Sequence, residues 1–131
     1  MSKRVFLGGT CNGSKWRDIA KRLLDEIGYT YFDPVVPKWD ESSYKNELKE
    51  REKCDILLYC ITPKMTGVYS VAEVVDDSNK RPKKTVLVVL QKDDSFEFSE
   101  TQKRSLSKIG ELVKDNGGQY FPTLLGACRN L

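Results

Sequence analysis

The stretch DILLYCI, residues 55–61, is a nearly continuous apolar run in the middle of the chain. Strands that are buried on both faces have this composition, and such strands are typical of the centre of a parallel sheet. The run therefore predicts a central strand, and the elements on either side of it can be placed relative to that strand.

Strand patterns alternate with helix patterns on both sides of this run. Further strands are predicted at residues 5–7, 29–32, 85–90 and 119–121, and helices at 16–27, 44–53, 70–78 and from Ser99 onward. This alternation implies right-handed crossovers and a parallel sheet of about five strands flanked by helices, an α/β architecture of flavodoxin-like order. The length of 131 residues predicts one domain over residues 1–131. In such sheets ligands bind beyond the carboxyl ends of the strands.

Local signals define three helix ends. Ser14 is the predicted N-cap of the first helix, and Gly28 is placed to close it. Ser99 and Gln102 have the spacing of a capping box at the start of the last helix.

Composition excludes several classes of protein. There is no histidine, which removes Ser-His-Asp and Cys-His catalysis and leaves acid–base work to carboxylates, Lys, Tyr or Cys. The four cysteines form no CxxC pair, so we expect reduced thiols, no metal and a cytoplasmic protein. The net charge of +3 is too small to predict nucleic-acid binding, and no apolar run is long enough to span a membrane.

A glycine-rich loop, GGTCNGS at residues 8–14, follows the first strand and precedes a helix. Glycines let a backbone approach a ligand closely, although many such loops are only tight turns. The spacing is neither GxGxxG nor a P-loop, so neither dinucleotide nor triphosphate binding is predicted.

The segment GVYSVAE, residues 67–73, follows the central strand and has two interpretations. Ser70 and Glu73 have capping-box spacing in the first turn of a helix. Alternatively, Glu73 is a carboxylate over a pocket and acts as a nucleophile. Asp76 and Asp77 could join Glu73 around magnesium, but an acidic helix face is more often solvated. The basic run KRPKK at residues 80–84 favours a solvated turn over a phosphate or nucleic-acid contact.

Taken in order, five motifs resemble the nucleoside 2-deoxyribosyltransferase-like family. They are VFLGGT at residues 5–10, WR at 16–17, FDP at 32–34, CDILLYCITP at 54–63 and GVYSVAEVV at 67–75. The resemblance implies a flavodoxin-like fold and cleavage of the N-glycosidic bond of nucleosides or nucleotides. It implies no cofactor, and a homodimer or larger homo-oligomer in which a neighbour completes the pocket.

The resemblance also implies roles for individual residues. Glu73 matches the family's nucleophile, and Glu47, eight positions before Asp55, matches its acid–base residue. The implied substrate-binding residues are Gly8, Gly9, Thr10, Asn12, Asp33, Gly67 and Tyr69. Two positions depart from the family: Val5 or Phe6 stands where many members have a tyrosine that touches the nucleophile, and Tyr69 stands where a glycine often holds phosphate.

The resemblance therefore implies a covalent glycosyl-enzyme on Glu73, resolved by a second base in a transferase or by water in a hydrolase. The alternative is a non-catalytic module on the same fold that binds a nucleotide or nucleotide-sugar, and the absent tyrosine favours it. A protein-interaction domain without a small ligand is the third possibility.

Overall fold

Five parallel strands form the central sheet of the computed structural model, which describes residues 2–131. The strands are β1 (Arg4–Gly9), β2 (Thr30–Phe32), β3 (Ile56–Ile61), β4 (Thr85–Val89) and β7 (Gln119–Phe121), in the order β2-β1-β3-β4-β7. Every pairing in this sheet is parallel, including β3 with β4. The predicted flavodoxin-like α/β fold with a five-stranded parallel sheet is therefore confirmed.

Five α-helices connect and cover the strands: α1 (Trp16–Glu26), α2 (Glu41–Lys53), α3 (Tyr69–Lys80), α4 (Glu100–Asp115) and α5 (Leu124–Cys128). Because side chains alternate along a strand, each strand supplies both faces of the sheet. Val5 and Leu58 pack on the face covered by α1 and α5. Leu57 and Tyr59 pack on the opposite face, covered by α3 and α4.

The central strand β3 is buried at all six positions, which explains why its sequence is continuously apolar. Both of its neighbours, β1 and β4, are long and buried as well. The carboxyl ends of β1 and β3 therefore lie side by side at one edge of the sheet, with Gly9 opposite Cys60.

Two of three helix starts differ from the sequence predictions. Ser14 does not cap α1: Lys15 occupies the N-cap, and the Ser14 hydroxyl donates to Asp93 instead. Helix α2 begins at Glu41, three residues earlier than predicted, because Asp40 accepts a hydrogen bond from the Ser43 backbone N–H. The box of Ser99 and Gln102 is formed as predicted.

The predicted capping box of Ser70 and Glu73 is wrong. Helix α3 starts at Tyr69 with Val68 at the N-cap, and no side chain among residues 2–131 caps it. Glu73 is consequently the fifth residue of the helix and lies beyond its first turn. This releases the Glu73 carboxylate from a capping role.

Two further elements were not predicted from the sequence: α5, and an antiparallel hairpin of β5 (Lys92–Asp93) and β6 (Phe96–Glu97). The basic run at residues 80–84 spans the end of α3 and a short 3-10 helix, Pro82–Lys84. Lys84 donates to the carbonyls of Glu52 and Cys54, and Arg81 binds Asp77. No helix within residues 2–131 is long and apolar enough to cross a bilayer.

Candidate functional site

A cavity of about 690 Å³ opens at the carboxyl ends of β1 and β3, between the glycine loop and helices α2 and α3. Its walls contain both candidate catalytic carboxylates and most of the candidate binding residues. The predicted residues that line it are Gly8, Gly9, Thr10, Asn12, Glu47, Gly67, Tyr69 and Glu73. The fold thus brings residues that are up to 65 positions apart in the sequence to a single site.

The floor of the cavity requires glycine at two successive positions. A Cβ on Gly8 would lie 2.5 Å from the Tyr59 ring, and one on Gly9 would lie 2.0 Å from the Cys60 carbonyl oxygen. Gly9 also has a φ of +125°, which side chains rarely adopt. These glycines keep β1 close to β3 and leave the cavity open above the backbone.

Arg17 holds the glycine loop in place through hydrogen bonds to its backbone carbonyls. Its guanidinium is nearly buried and donates to the carbonyls of Leu7 (3.2 Å), Gly9 (3.3 Å) and Thr10 (2.6 Å). The Trp16 indole N–H donates to the same Thr10 carbonyl at 2.8 Å. Sequence reasoning missed this function of Arg17, although its position immediately after a glycine loop was a usable signal.

Asp33 lies outside the lining of this cavity. Its carboxylate accepts from Lys21 (2.7 Å) and from the Val35 backbone N–H (2.9 Å), and it lies 3.5 Å from Arg17 Nε. The structure thus gives Asp33 contacts that support the glycine loop through Arg17, and the predicted contact with substrate stays a prediction.

The loop after β3 is tied to the glycine loop by side-chain hydrogen bonds. The Thr10 hydroxyl accepts from the Thr62 backbone N–H at 2.9 Å. Asn12 donates to the Lys64 carbonyl at 3.2 Å and to the Thr66 hydroxyl at 2.7 Å. Asn12 has a φ of +40°, so its backbone turns sharply to reach this position. Two loops that are about fifty residues apart in sequence therefore form one wall.

Glu73 reaches the cavity from α3 and is largely withdrawn from water, with 13% of its side chain exposed. Burial raises the pKa of Glu73 to about 7, and the carboxylates of Glu47 and Asp77 act in the same direction. Arg51 opposes this shift: its Nη1 lies 3.5 Å from Glu73 Oε2. Strongly perturbed carboxyl groups in clefts are typical of functional sites.

Glu47 faces the same cavity from α2. Burial raises its pKa as well, against the opposing effects of Trp39, Arg51 and Arg17. Two carboxyl groups thus border one space, which places a candidate nucleophile and a candidate acid–base group at the same cavity.

The mouth of the cavity is apolar and partly aromatic. Trp39 contacts Tyr44 edge-on, with ring centroids 5.8 Å apart, and Tyr69 lines the same wall. Trp39 and Tyr69 are both more than half exposed. Flat aromatic side chains at a cavity mouth suit a planar, partly apolar ligand.

The suggested magnesium site of Glu73, Asp76 and Asp77 does not form. Arg51 occupies the space between these carboxylates and pairs with all three. Across residues 2–131, no group of three His, Cys, Asp or Glu side chains is arranged to hold a metal ion.

Comparison with family models matches residues 2–94 to the family described as nucleoside 2-deoxyribosyltransferase like. The chain belongs to this family. All of the candidate catalytic and binding residues of this deoxyribosyltransferase-like protein lie within the matched segment, which ends before α4.

One solved structure extends the comparison to the fold of the whole chain. It is a 2-deoxyribosyltransferase from the psychrotolerant bacterium Bacillus psychrosaccharolyticus, with a TM-score of 0.60 and 14% sequence identity. The alignment covers 95% of this chain and 89% of that one, so the likeness of fold extends beyond residue 94. A search of curated protein sequences gave no match.

Proposed function

We propose that this protein cleaves or transfers at the N-glycosidic bond of a (deoxy)nucleoside or nucleotide, with Glu73 as the nucleophile. The observation that carries the proposal is the shared cavity of Glu73 and Glu47, at the carboxyl edge of a sheet whose family acts on such bonds. A histidine-free site with two carboxyl groups suits glycosyl chemistry, since carboxylates can serve as both nucleophile and acid.

In the first step, a carboxylate oxygen of Glu73 attacks the anomeric carbon of the bound nucleoside. A carbon–oxygen bond forms, the carbon–nitrogen bond to the base breaks, and the bonding electron pair leaves with the base. Glu47 donates a proton to the departing base, so the base leaves neutral. The product is a glycosyl ester on Glu73.

In the second step, the ester is resolved from the face that the base vacated. A second base gives transfer and water gives hydrolysis, and both restore the Glu73 carboxylate with net retention at the anomeric carbon. Glu47 then acts as a base toward the incoming nucleophile.

Charge at the cavity favours nucleosides over their 5′-phosphates. Within the described residues, Arg17 is the single cation that lines the cavity, and its donors already bind backbone carbonyls and Asp33. A phosphate would therefore meet no unpaired cation there, and Tyr69 occupies a position where a small residue would leave room. We expect deoxynucleosides to react faster than the corresponding monophosphates.

The test is incubation with a panel of nucleosides and deoxynucleotides, with and without an acceptor base, followed by chromatography for released base. Wild-type protein should release base, and Glu73→Gln should fold but lose release by several powers of ten. Glu47→Gln should lose about 10²- to 10⁴-fold. Glu52→Gln, a change of the same chemistry at an exposed position of α2, is the matched control and should retain wild-type release.

A binding module without catalysis has one observation in its favour. Phe6 lines the cavity and offers no hydroxyl at the place where many family members have a tyrosine. This alternative predicts that wild-type protein binds nucleosides in calorimetry while releasing no base. Wild-type turnover in the Glu73→Gln variant would contradict the nucleophile assignment directly.

A further inference from the structure

A buried arginine joins the two helices that carry the candidate catalytic carboxylates. Arg51 lies on α2, one helical turn after Glu47, and reaches across to three acidic side chains of α3. Its Nε and Nη2 atoms each lie 3.0 Å from an oxygen of Asp77, Nη2 lies 3.1 Å from Asp76, and Nη1 lies 3.5 Å from Glu73. The side chain of Arg51 is 6% exposed.

Asp77 fixes the orientation of this guanidinium. Asp77 is completely buried, and the two-point contact with Arg51 leaves the planar fork little freedom to rotate. Arg81 also donates to Asp77 Oδ1, at 2.6 Å, and the Tyr59 hydroxyl donates to Asp77 Oδ2 from β3. Asp77 is therefore held by three partners and acts as a rigid anchor.

The contact between Arg51 and Glu73 differs from the contacts with Asp77. At 3.5 Å it is longer than an ordinary hydrogen bond, so Nη1 supplies positive charge without tightly engaging the carboxylate oxygen. A nucleophile needs this combination, because its oxygen lone pairs must remain free to attack.

We propose that Arg51 is a positioning residue of this site: anchored by Asp77, it holds Glu73 at the cavity wall and presents positive charge to its carboxylate. The inference rests on the proposed function for its catalytic meaning. It extends that function by assigning to α2 a residue that positions the nucleophile on α3.

The charge balance around Glu73 shows why a cation is needed. The ionisable groups that act on it come from three elements: Glu47 and Arg51 from α2, Tyr69 and Asp77 from α3, and Tyr59 from β3. Asp76 of α3 pairs with Arg51. Among these groups of the described chain, Arg51 is the one cation. Burial and the neighbouring carboxylates raise the pKa of Glu73, and Arg51 alone in this group opposes them.

The titration of Glu73 tests the inference without depending on turnover. Protein labelled with ¹³C at the glutamate carboxyl carbons is titrated by NMR, and the Glu73 signal is assigned by its loss in Glu73→Gln. The wild-type midpoint should lie near 7. Arg51→Met should move the midpoint upward by about one pH unit or more. Arg51→Lys should move it less, because lysine restores the positive charge but lacks the paired N–H donors of the guanidinium. An unchanged midpoint in Arg51→Met would overturn the inference.

Removal of Arg51 leaves Asp77 buried beside one fewer cation, which could prevent folding. The same comparison is therefore made in an Asp77→Asn background, where Arg51→Met should raise the Glu73 midpoint by a smaller amount, because the amide accepts at one oxygen only and anchors Arg51 less firmly. Arg81→Met is the matched control, because it also removes a cation from Asp77 but does not face Glu73. Equal shifts in Arg81→Met and Arg51→Met would overturn the specific role of Arg51.

Base release separates the two proposals. At pH 7, Arg51→Met should release base more slowly than wild type, and part of the loss should return in Arg51→Lys. A wild-type protein that releases no base would contradict the glycosyl-transfer proposal, while the NMR midpoints would still decide whether Arg51 controls the ionisation of Glu73.

Discussion

Glu73 is a carboxyl group whose ionised form the fold disfavours. Burial raises its pKa from the ordinary 4.5 to about 7, so the folded protein binds the Glu73 proton more tightly than the unfolded chain does. Linkage then requires the fold to be most stable when this group is protonated. The stability that the raised pKa of Glu73 contributes to the fold is fully present below pH 4.5 and is lost as the pH rises through 7.

The first prediction compares the unfolding free energy of Glu73→Gln with that of wild type at two pH values. The amide is neutral at every pH and avoids the penalty of burying a charge. We expect similar unfolding free energies at pH 4, and Glu73→Gln to be more stable at pH 8 by on the order of 2 kcal/mol. Urea unfolding at both pH values measures the difference.

Glu111→Gln is the control for this comparison, because Glu111 is exposed on α4 far from the cavity. Its difference from wild type should be small and should not grow between pH 4 and pH 8. If Glu73→Gln were destabilising at pH 8, the ionised Glu73 carboxylate would stabilise the fold as an ion-pair residue, and burial of its charge would not be a cost.

At the scale of elements, α2 is the least conventional helix of the fold. Among its residues in the described chain, Arg51 is the one that is buried, and Leu48 is 39% exposed. The helix is held by polar contacts: Arg51 binds α3, Glu50 pairs with Arg4, and Lys84 binds the carbonyls of Glu52 and Cys54. It lacks the apolar stripe that anchors α1 and α4.

The second prediction follows from this anchoring. Backbone amides in the interior of α2, residues 45–51, should exchange with deuterium at least about tenfold faster than those of α1, because opening α2 exposes little apolar surface. Arg51→Met should accelerate exchange in α2 further and leave α1 unchanged. Mass spectrometry of exchanged peptides checks this, and equal protection of the two helices would contradict it.

Two helix starts with the same sequence spacing show when a local pattern predicts a cap correctly. Ser99 and Gln102 form a capping box in which each side chain accepts from the backbone N–H of the other residue. Ser70 and Glu73 have the same spacing, but Arg51, twenty-two residues away in sequence, pairs with the carboxylate, and the helix starts at Tyr69. A local pattern cannot reveal a partner that arrives from another helix, and for this reason Arg51 was not among the predicted site residues.

For the molecule as a whole, the sheet could be predicted because burial on both faces leaves a direct mark on strand composition. Both candidate carboxylates could be placed at one cavity because the family motifs order them around β1 and β3. The hairpin of β5 and β6 could not be predicted, since its two-residue strands are largely exposed. The single-domain organisation and the site roles stay predictions.

Assembly is a property of the whole molecule, and the family resemblance implies a homo-oligomer. Large apolar side chains are exposed around the cavity mouth; they are Val35, Val36, Trp39, Val68 and Tyr69. Burying them against a second copy would remove more apolar surface from water than burying scattered side chains elsewhere. We therefore expect a homodimer or larger homo-oligomer that closes this mouth.

Light scattering at high micromolar concentration should give at least twice the mass of 15.0 kDa. Val68→Asp should shift the protein toward monomer, because it places a charge on the expected interface. An acidic residue immediately before α3 also favours the helix dipole, so the change should not unfold the chain. Leu112→Asp, at an exposed apolar position of α4, is the control and should leave the mass unchanged. A wild-type monomer would contradict the prediction, and dissociation by Leu112→Asp alone would place the interface on α4 and leave the cavity mouth open to solvent.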